Sequence, residues 1–122
     1  MTDNTLIKTT KTIYPQIYAY TLPTIKDDEG WIKIGYTERK NVDERIREQT
    51  KTAAINLEYL KLWSEPAKLN SSHDWFKDKQ LHAYLRKYKN VKHRPNTEWF
   101  YYNGTPEMAH ADFIAFCNNE CS

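Results

Sequence analysis

The chain alternates between short β-forming runs and stretches with a helical spacing of apolar residues. Ile17-Tyr18-Ala19-Tyr20-Thr21-Leu22 is rich in β-formers and ends at Pro23, which predicts a strand. Thr24 to Gly30 is an acidic turn, and Trp31 to Thr37 reads as a second strand that closes a hairpin. Asn41 followed by Glu44 resembles a capping box, and a helix is predicted from there to about Thr50, with Val42, Ile46 and Ala53 on one side. Leu57 to Trp63 alternates and predicts a third strand. Ser71 or Ser72 is placed to cap a second helix reaching about Tyr88. Glu98 to Tyr102 reads as a short strand ending at Asn103-Gly104, and Thr105-Pro106-Glu107 starts a last helix, with Thr as cap and Pro first.

The resulting order is β-β-α-β-α-β-α. The early hairpin predicts an α/β (α+β) domain: a small central, mainly antiparallel sheet flanked by helices, not a doubly wound parallel sheet. Residues 1–14 read as a flexible N-terminal arm and 15–122 as a single domain. The chain stops at Cys121-Ser122, at the end of a helical pattern, so a module of a longer multidomain protein is expected.

Composition narrows the class. Hydrophobic residues are 39% and charged residues 28% of 122, and the mean hydropathy is −0.87. Aromatics at 14% are too many for a disordered chain. No run approaches the ~20 apolar residues of a membrane span. The start, Met1-Thr2-Asp3-Asn4-Thr5, lacks the basic-then-apolar layout of a signal peptide. A cytoplasmic protein without a membrane partner is expected. Cys117 and Cys121, both near the end, read as ordinary thiols rather than a disulfide framework or a zinc site. The net charge is only +2, but Arg86, Lys87, Lys89, Lys92 and Arg94 form a local basic block without an acid. That block suits phosphate contacts, and equally suits a solvated helix C-terminus.

The second helix carries the sharpest signal. At about 100° per residue, Leu81 and Leu85 fall on one side of Asp78, and Trp75 and His82 on the other. The apolar stripe is thus centred on an acid, which is costly unless that acid is paired or binds a metal. It pairs with Lys, Arg or His82, or it serves a site. On the first helix, Arg45 and Gln49 flank the Val42/Ile46 stripe; Arg45 either reaches into a cleft or pairs with neighbouring acids. On the strands, Tyr18, Tyr20 and Leu22 share a face, as do Lys33 and Gly35. A glycine inside a strand permits close approach by another group.

The order Ile17-Tyr18, Lys33-Ile34-Gly35-Tyr36-Thr37, Val42-Asp43-Glu44-Arg45-Ile46, Asp78 to His82, and Glu98-Trp99-Phe100 resembles the GIY-YIG nuclease superfamily. It looks most like the phage and bacterial branch with a Lys-Ile-Gly second motif and a Glu-Trp-Phe signature. The resemblance spans roughly residues 16–103. It implies a metal-dependent endonuclease that hydrolyses phosphodiester bonds in DNA, with RNA left open beside it. Tyr18 would be the site tyrosine, acting as general base or orienting the water. Gly35 would be the structural glycine of the second motif. Lys33 would favour the ionised form of Tyr18, and Arg45 would grip the phosphate. Asp78 would hold one Mg²⁺ or Mn²⁺ ion, with His82 orienting it or assisting proton transfer. Tyr36 and Tyr20 would line the site, and Glu98 would be a second acid or a structural one. The basic block would hold the nucleic-acid backbone. Gln16 stands where the motif has Gly, Gln49 where His is common, and Asp78 where the ligand is usually Glu.

Two other functions fit the same residues: a catalytically weak or inactive nucleic-acid-binding module on this fold, and a protein-interaction or regulatory domain using the Tyr/Trp-rich surface. Members of the superfamily usually join the nuclease to other domains, so added domains or a partner protein for targeting are expected. Oligomeric state is not legible.

Overall fold

The computed structural model describes residues 13–52, 55–103 and 106–118. The N-terminal arm expected over 1–14 therefore lies almost wholly outside the described residues, as do Ala53, Gly104, Thr105 and Cys121.

Among the described residues there are six strands and three α-helices: β1 Gln16–Thr21, β2 Trp31–Thr37, α1 Val42–Thr50, β3 Lys51–Thr52, β4 Ile55–Asn56, β5 Leu60–Pro66, α2 Asp78–Lys87, β6 Trp99–Tyr101 and α3 Pro106–Cys117. The main sheet is four-stranded with order β5-β1-β2-β6, while β3 and β4 pair separately. Every pairing in the main sheet is antiparallel, and β1 meets β2 with Gln16 opposite Thr37 and Tyr18 opposite Gly35. The α+β architecture expected from the hairpin-first order is the one observed.

The two-residue period of β1 sorts its side chains between two layers. Ile17 and Ala19 face a larger core with Ile32, Ile34 and Phe100 from the sheet and Leu81, Leu85 and Phe113 from α2 and α3. Tyr18, Tyr20 and Leu22 face a smaller core closed by Val42 and Ile46 of α1. Leu81 is fully buried, and truncating such a leucine to alanine costs about 2–5 kcal/mol.

The first helix follows its sequence signals. Asn41 has extended backbone, and its side-chain oxygen accepts from the Glu44 N–H at 3.2 Å.

The β3–β4 pair was not expected, and two expected elements are displaced. The alternation over 57–63 predicted the third strand early; β5 instead runs 60–66, held along β1 from Thr21↔Leu60 to Gln16↔Pro66. The second helix begins at Asp78, not after Ser71 or Ser72. Residues 67–76 fold back on themselves: Phe76 N–H donates to Ala67 at 3.0 Å and Leu69 N–H to Asp74 at 2.9 Å. Ser72 Oγ accepts from the Asp74 N–H at 3.2 Å, so this serine closes a turn rather than starting a helix. The helix is capped at Lys77, whose N–H donates to the Gln80 side chain at 2.8 Å.

This corrects the picture of Asp78. It is the first residue of α2 and half-buried, not the centre of a buried stripe. Leu81, His82, Tyr84 and Leu85 are the buried positions of the helix, and Trp75 lies before it, exposed.

Candidate active site

The central feature is the antiparallel pairing of β1 with β2, which sets Tyr18 opposite Gly35. The Tyr18 ring lies flat against the backbone of Gly35 on β2. A Cβ at position 35 would sit 2.5 Å from the phenol oxygen and 2.6 Å from its ring carbon. Only glycine leaves room for the ring.

From the other side, α1 delivers Gln49 and Arg45 to the same phenol. The Gln49 side-chain oxygen accepts from the Tyr18 hydroxyl at 2.9 Å and from the Tyr20 hydroxyl at 3.3 Å. The two tyrosine rings stack with centroids 6.1 Å apart. Burial pushes the Tyr18 pKa above its ordinary value and Glu98 adds to the rise, while Arg45, within hydrogen-bonding reach, opposes both. The helical spacing that put Arg45 and Gln49 beside the Val42/Ile46 stripe is what aims them here.

A pair of acids completes the cleft. Glu98 immediately precedes β6, and its carbonyl accepts from the Ile34 N–H at 3.0 Å. Its carboxyl is hydrogen-bonded to that of Asp78. Burial first, and this bond second, raise the Glu98 pKa to about 7, with Lys33 opposing. Lys33 Nζ stands 3.4 Å from Glu98 Oε1. Two carboxyls in contact do not readily both ionise, so the pair holds a proton. Asp78 also occupies the first turn of α2, where the helix dipole favours negative charge. Such a pair of oxygen donors suits a hard divalent cation, which takes carboxylate, water and phosphate oxygens. Among the described residues, no group of three or more His, Cys, Asp and Glu side chains is placed to hold a metal, so water and substrate would complete the shell.

A family model described as the T5orf172 domain matches residues 16–117. This chain belongs to the T5orf172 domain family. The match begins at the first residue of β1 and ends at the last of α3, so it takes in every element of the fold. T5orf172 domains occur in phage and bacterial nuclease-like proteins. No curated protein matches the chain, and no solved structure does. Among the described residues of this T5orf172 domain, no helix is long and apolar enough to cross a membrane.

Within this T5orf172 domain, Tyr18, Lys33, Gly35, Arg45, Asp78 and Glu98 converge. Lys33 pairs with Glu98, and the cation acting on Tyr18 is Arg45, which also pairs with Glu48 at 3.6 Å, so both expectations for this arginine are met. Tyr36 projects from the other side of β2. Its hydroxyl donates to Glu38 Oε2 at 2.9 Å. Burial and that bond push its pKa up to about 12, and Asp78 adds to the rise. His82 is buried one turn beyond Asp78, and its Nε2–H donates to the Ile34 carbonyl at 2.8 Å. Burial holds its pKa below the ordinary histidine value. It ties α2 to the strand that carries Gly35.

The basic block does not stay together. Arg86 Nε donates to the His82 carbonyl at 3.3 Å, and Lys89 lies over the Tyr84 ring. Arg94 is paired with Asp28 at 3.0 Å and sits 4.5 Å from the Trp31 ring centre. Lys92 lies near Trp31 and Tyr101. The chain turns after α2, so one stretch of cations becomes two surfaces. Sequence reasoning did not find the contact between Asp78 and Glu98: no periodicity links positions twenty residues apart on different elements.

Proposed function

We propose that this domain is a GIY-YIG-type endonuclease that hydrolyses DNA phosphodiester bonds with Mg²⁺ or Mn²⁺. The observation that carries this reading is the meeting, in one cleft, of a tyrosine seated on a strand glycine, an arginine and two touching carboxyls. Membership of a nuclease-related family supports it.

Each residue has a physical role. Arg45 presents a planar fork that matches two phosphate oxygens. Tyr18 is neutral at pH 7 like any tyrosine, and burial makes its ionisation costlier still; in that form it orients the attacking water. As phenolate it takes the water's proton, and Arg45 opposes the burial that makes ionisation costly. Water oxygen bonds to phosphorus, the bond from phosphorus to the leaving sugar oxygen breaks, and that oxygen takes a proton from solvent water. Asp78 and Glu98 would hold the cation, which when bound stabilises negative charge on the phosphate and the leaving oxygen. Lys33 balances the acid pair from the side. His82 and Gly35 position these groups, and Tyr36 stands beside Asp78 as a wall.

A second reading, a binding module with weak cleavage, is favoured by one observation: Lys33 already occupies one side of Glu98, where it competes with a cation. Nicking of supercoiled plasmid by the wild type, Arg45→Ala and Asp78→Ala, in Mg²⁺, Mn²⁺ and EDTA, separates the two. Metal-dependent nicking lost in both variants supports the nuclease; DNA binding without nicking in any metal supports the module. Targeting by further domains or a partner protein is part of the proposal.

A further inference from the structure

Beside the cleft lies a surface that shares only its inner edge with the proposed chemistry. A cavity of about 490 Å³ is lined by Tyr14, Lys40 and the site residues Tyr36 and Arg45. It adjoins a second of about 320 Å³, lined by Gln16, Pro66 and Trp75, and the two share Ile13, Tyr14 and Lys40. Together they form a trough leading away from Arg45.

Two exposed rings mark its course. Trp75 is 55% exposed and Tyr14 is 43% exposed. Each carries a lysine over its face: Lys40 Nζ lies 5.8 Å from the Tyr14 ring centre, and Lys68 Nζ 5.2 Å from that of Trp75. Neither lysine is paired with a carboxylate among the described residues. Arg39, on the same rim, is different: Glu44 and Glu48 hold it. Glu38 is engaged by the Tyr36 hydroxyl.

Exposed aromatic rings interleaved with cations that no carboxylate holds among the described residues match one ligand chemistry: a strand of stacked bases with a phosphate on each. A closed duplex hides its base faces, so the strand must be unpaired. We propose that the trough binds an unpaired DNA strand adjoining the scissile phosphate, with bases stacking on Tyr14 and Trp75 and phosphates meeting Lys40 and Lys68. This rests on the nuclease reading for where the strand leads, and it names the substrate class: DNA with a single-stranded arm.

The test is binding of the full chain to a fluorescein-labelled oligothymidylate and to a blunt duplex, by anisotropy in EDTA. Tyr14→Ala and Trp75→Ala are each expected to weaken oligothymidylate binding roughly tenfold, because a stacked ring is worth about that much per base. Trp75→Phe restores binding, and the duplex is bound equally by all variants. Both rings are exposed, so folding is not at stake, and circular dichroism confirms it. Alanine variants that bind oligothymidylate like the wild type overturn the proposal, as does a wild type that binds the duplex but not the oligomer. Metal-dependent plasmid nicking combined with either result leaves the nuclease reading standing and removes the trough. Ring-dependent binding with no nicking in any metal does the reverse.

Discussion

The phenol oxygen of Tyr18 occupies the space where a side chain of Gly35 would begin, 2.5 Å from the position of its first carbon. The two residues are direct partners across β1 and β2, so neither can shift without moving a central strand.

Gly35→Ala is therefore expected to expel the ring. Overpacking of this kind costs about 1–3 kcal/mol, and the displaced phenol leaves Gln49 and Arg45. Thermal melts should show the loss of stability, and plasmid nicking should fall at least as far as in Tyr18→Phe. An alanine variant with wild-type stability and nicking would contradict the geometry.

Gln49 accepts from two buried phenols at once. Gln49→Leu strands both hydroxyls, at about 1–3 kcal/mol for a buried donor left without an acceptor. Adding Tyr18→Phe should recover part of that cost, so the cycle is non-additive. Strict additivity in urea denaturation would mean that the shared oxygen contributes nothing.

Asp78 helps hold the Glu98 proton. In metal-free protein, Asp78→Asn should lower the Glu98 midpoint from about 7, while burial keeps it above that of a free glutamate. Carbon-detected NMR titration of the carboxyl reads this directly. Adding Mg²⁺ to the wild type should move the midpoint the same way, since a cation displaces the shared proton. A midpoint unmoved by Asp78→Asn would show that the two carboxyls do not interact.

His82 gives the domain an acid limit. Its folded pKa lies below the ordinary 6.5 because burial disfavours the charged ring. As pH falls through about 6.5, the unfolded chain takes up a proton that the folded chain refuses. Stability then falls towards the lower folded pKa, by at most about 1.4 kcal/mol per pH unit for one group. His82→Gln, which keeps a donor for the Ile34 carbonyl, should flatten the profile between pH 7 and 5 relative to the wild type. Parallel profiles would remove His82 as the source.

The parts of this fold that were legible in the sequence are those set by local chemistry. The hairpin was readable because β-formers stop at Pro23 and Gly30 marks the turn, and α1 because Asn41 caps it. The start of α2 was not, because Ser72 offers a capping oxygen that the structure uses for a turn; the pairing of Lys68 with Trp75 outcompetes a longer helix. The half of the site formed by Tyr18, Gly35, Arg45 and Gln49 follows from two periodicities meeting on one sheet face. The acid half does not: Asp78 looked central to a buried stripe, and its actual surroundings depend on where β6 docks.

Both backbone groups of Ile34 are engaged from the β6 side: its N–H by the Glu98 carbonyl and its carbonyl by the His82 ring. The backbone of this one residue thus acts as a crossbar to which α2 and the start of β6 are both fastened. The main-chain positions from which the two carboxyls reach are thereby held relative to one another. At the proposed cation site, ions of equal charge should be ranked by size, Mg²⁺ and Mn²⁺ apart from the larger Ca²⁺.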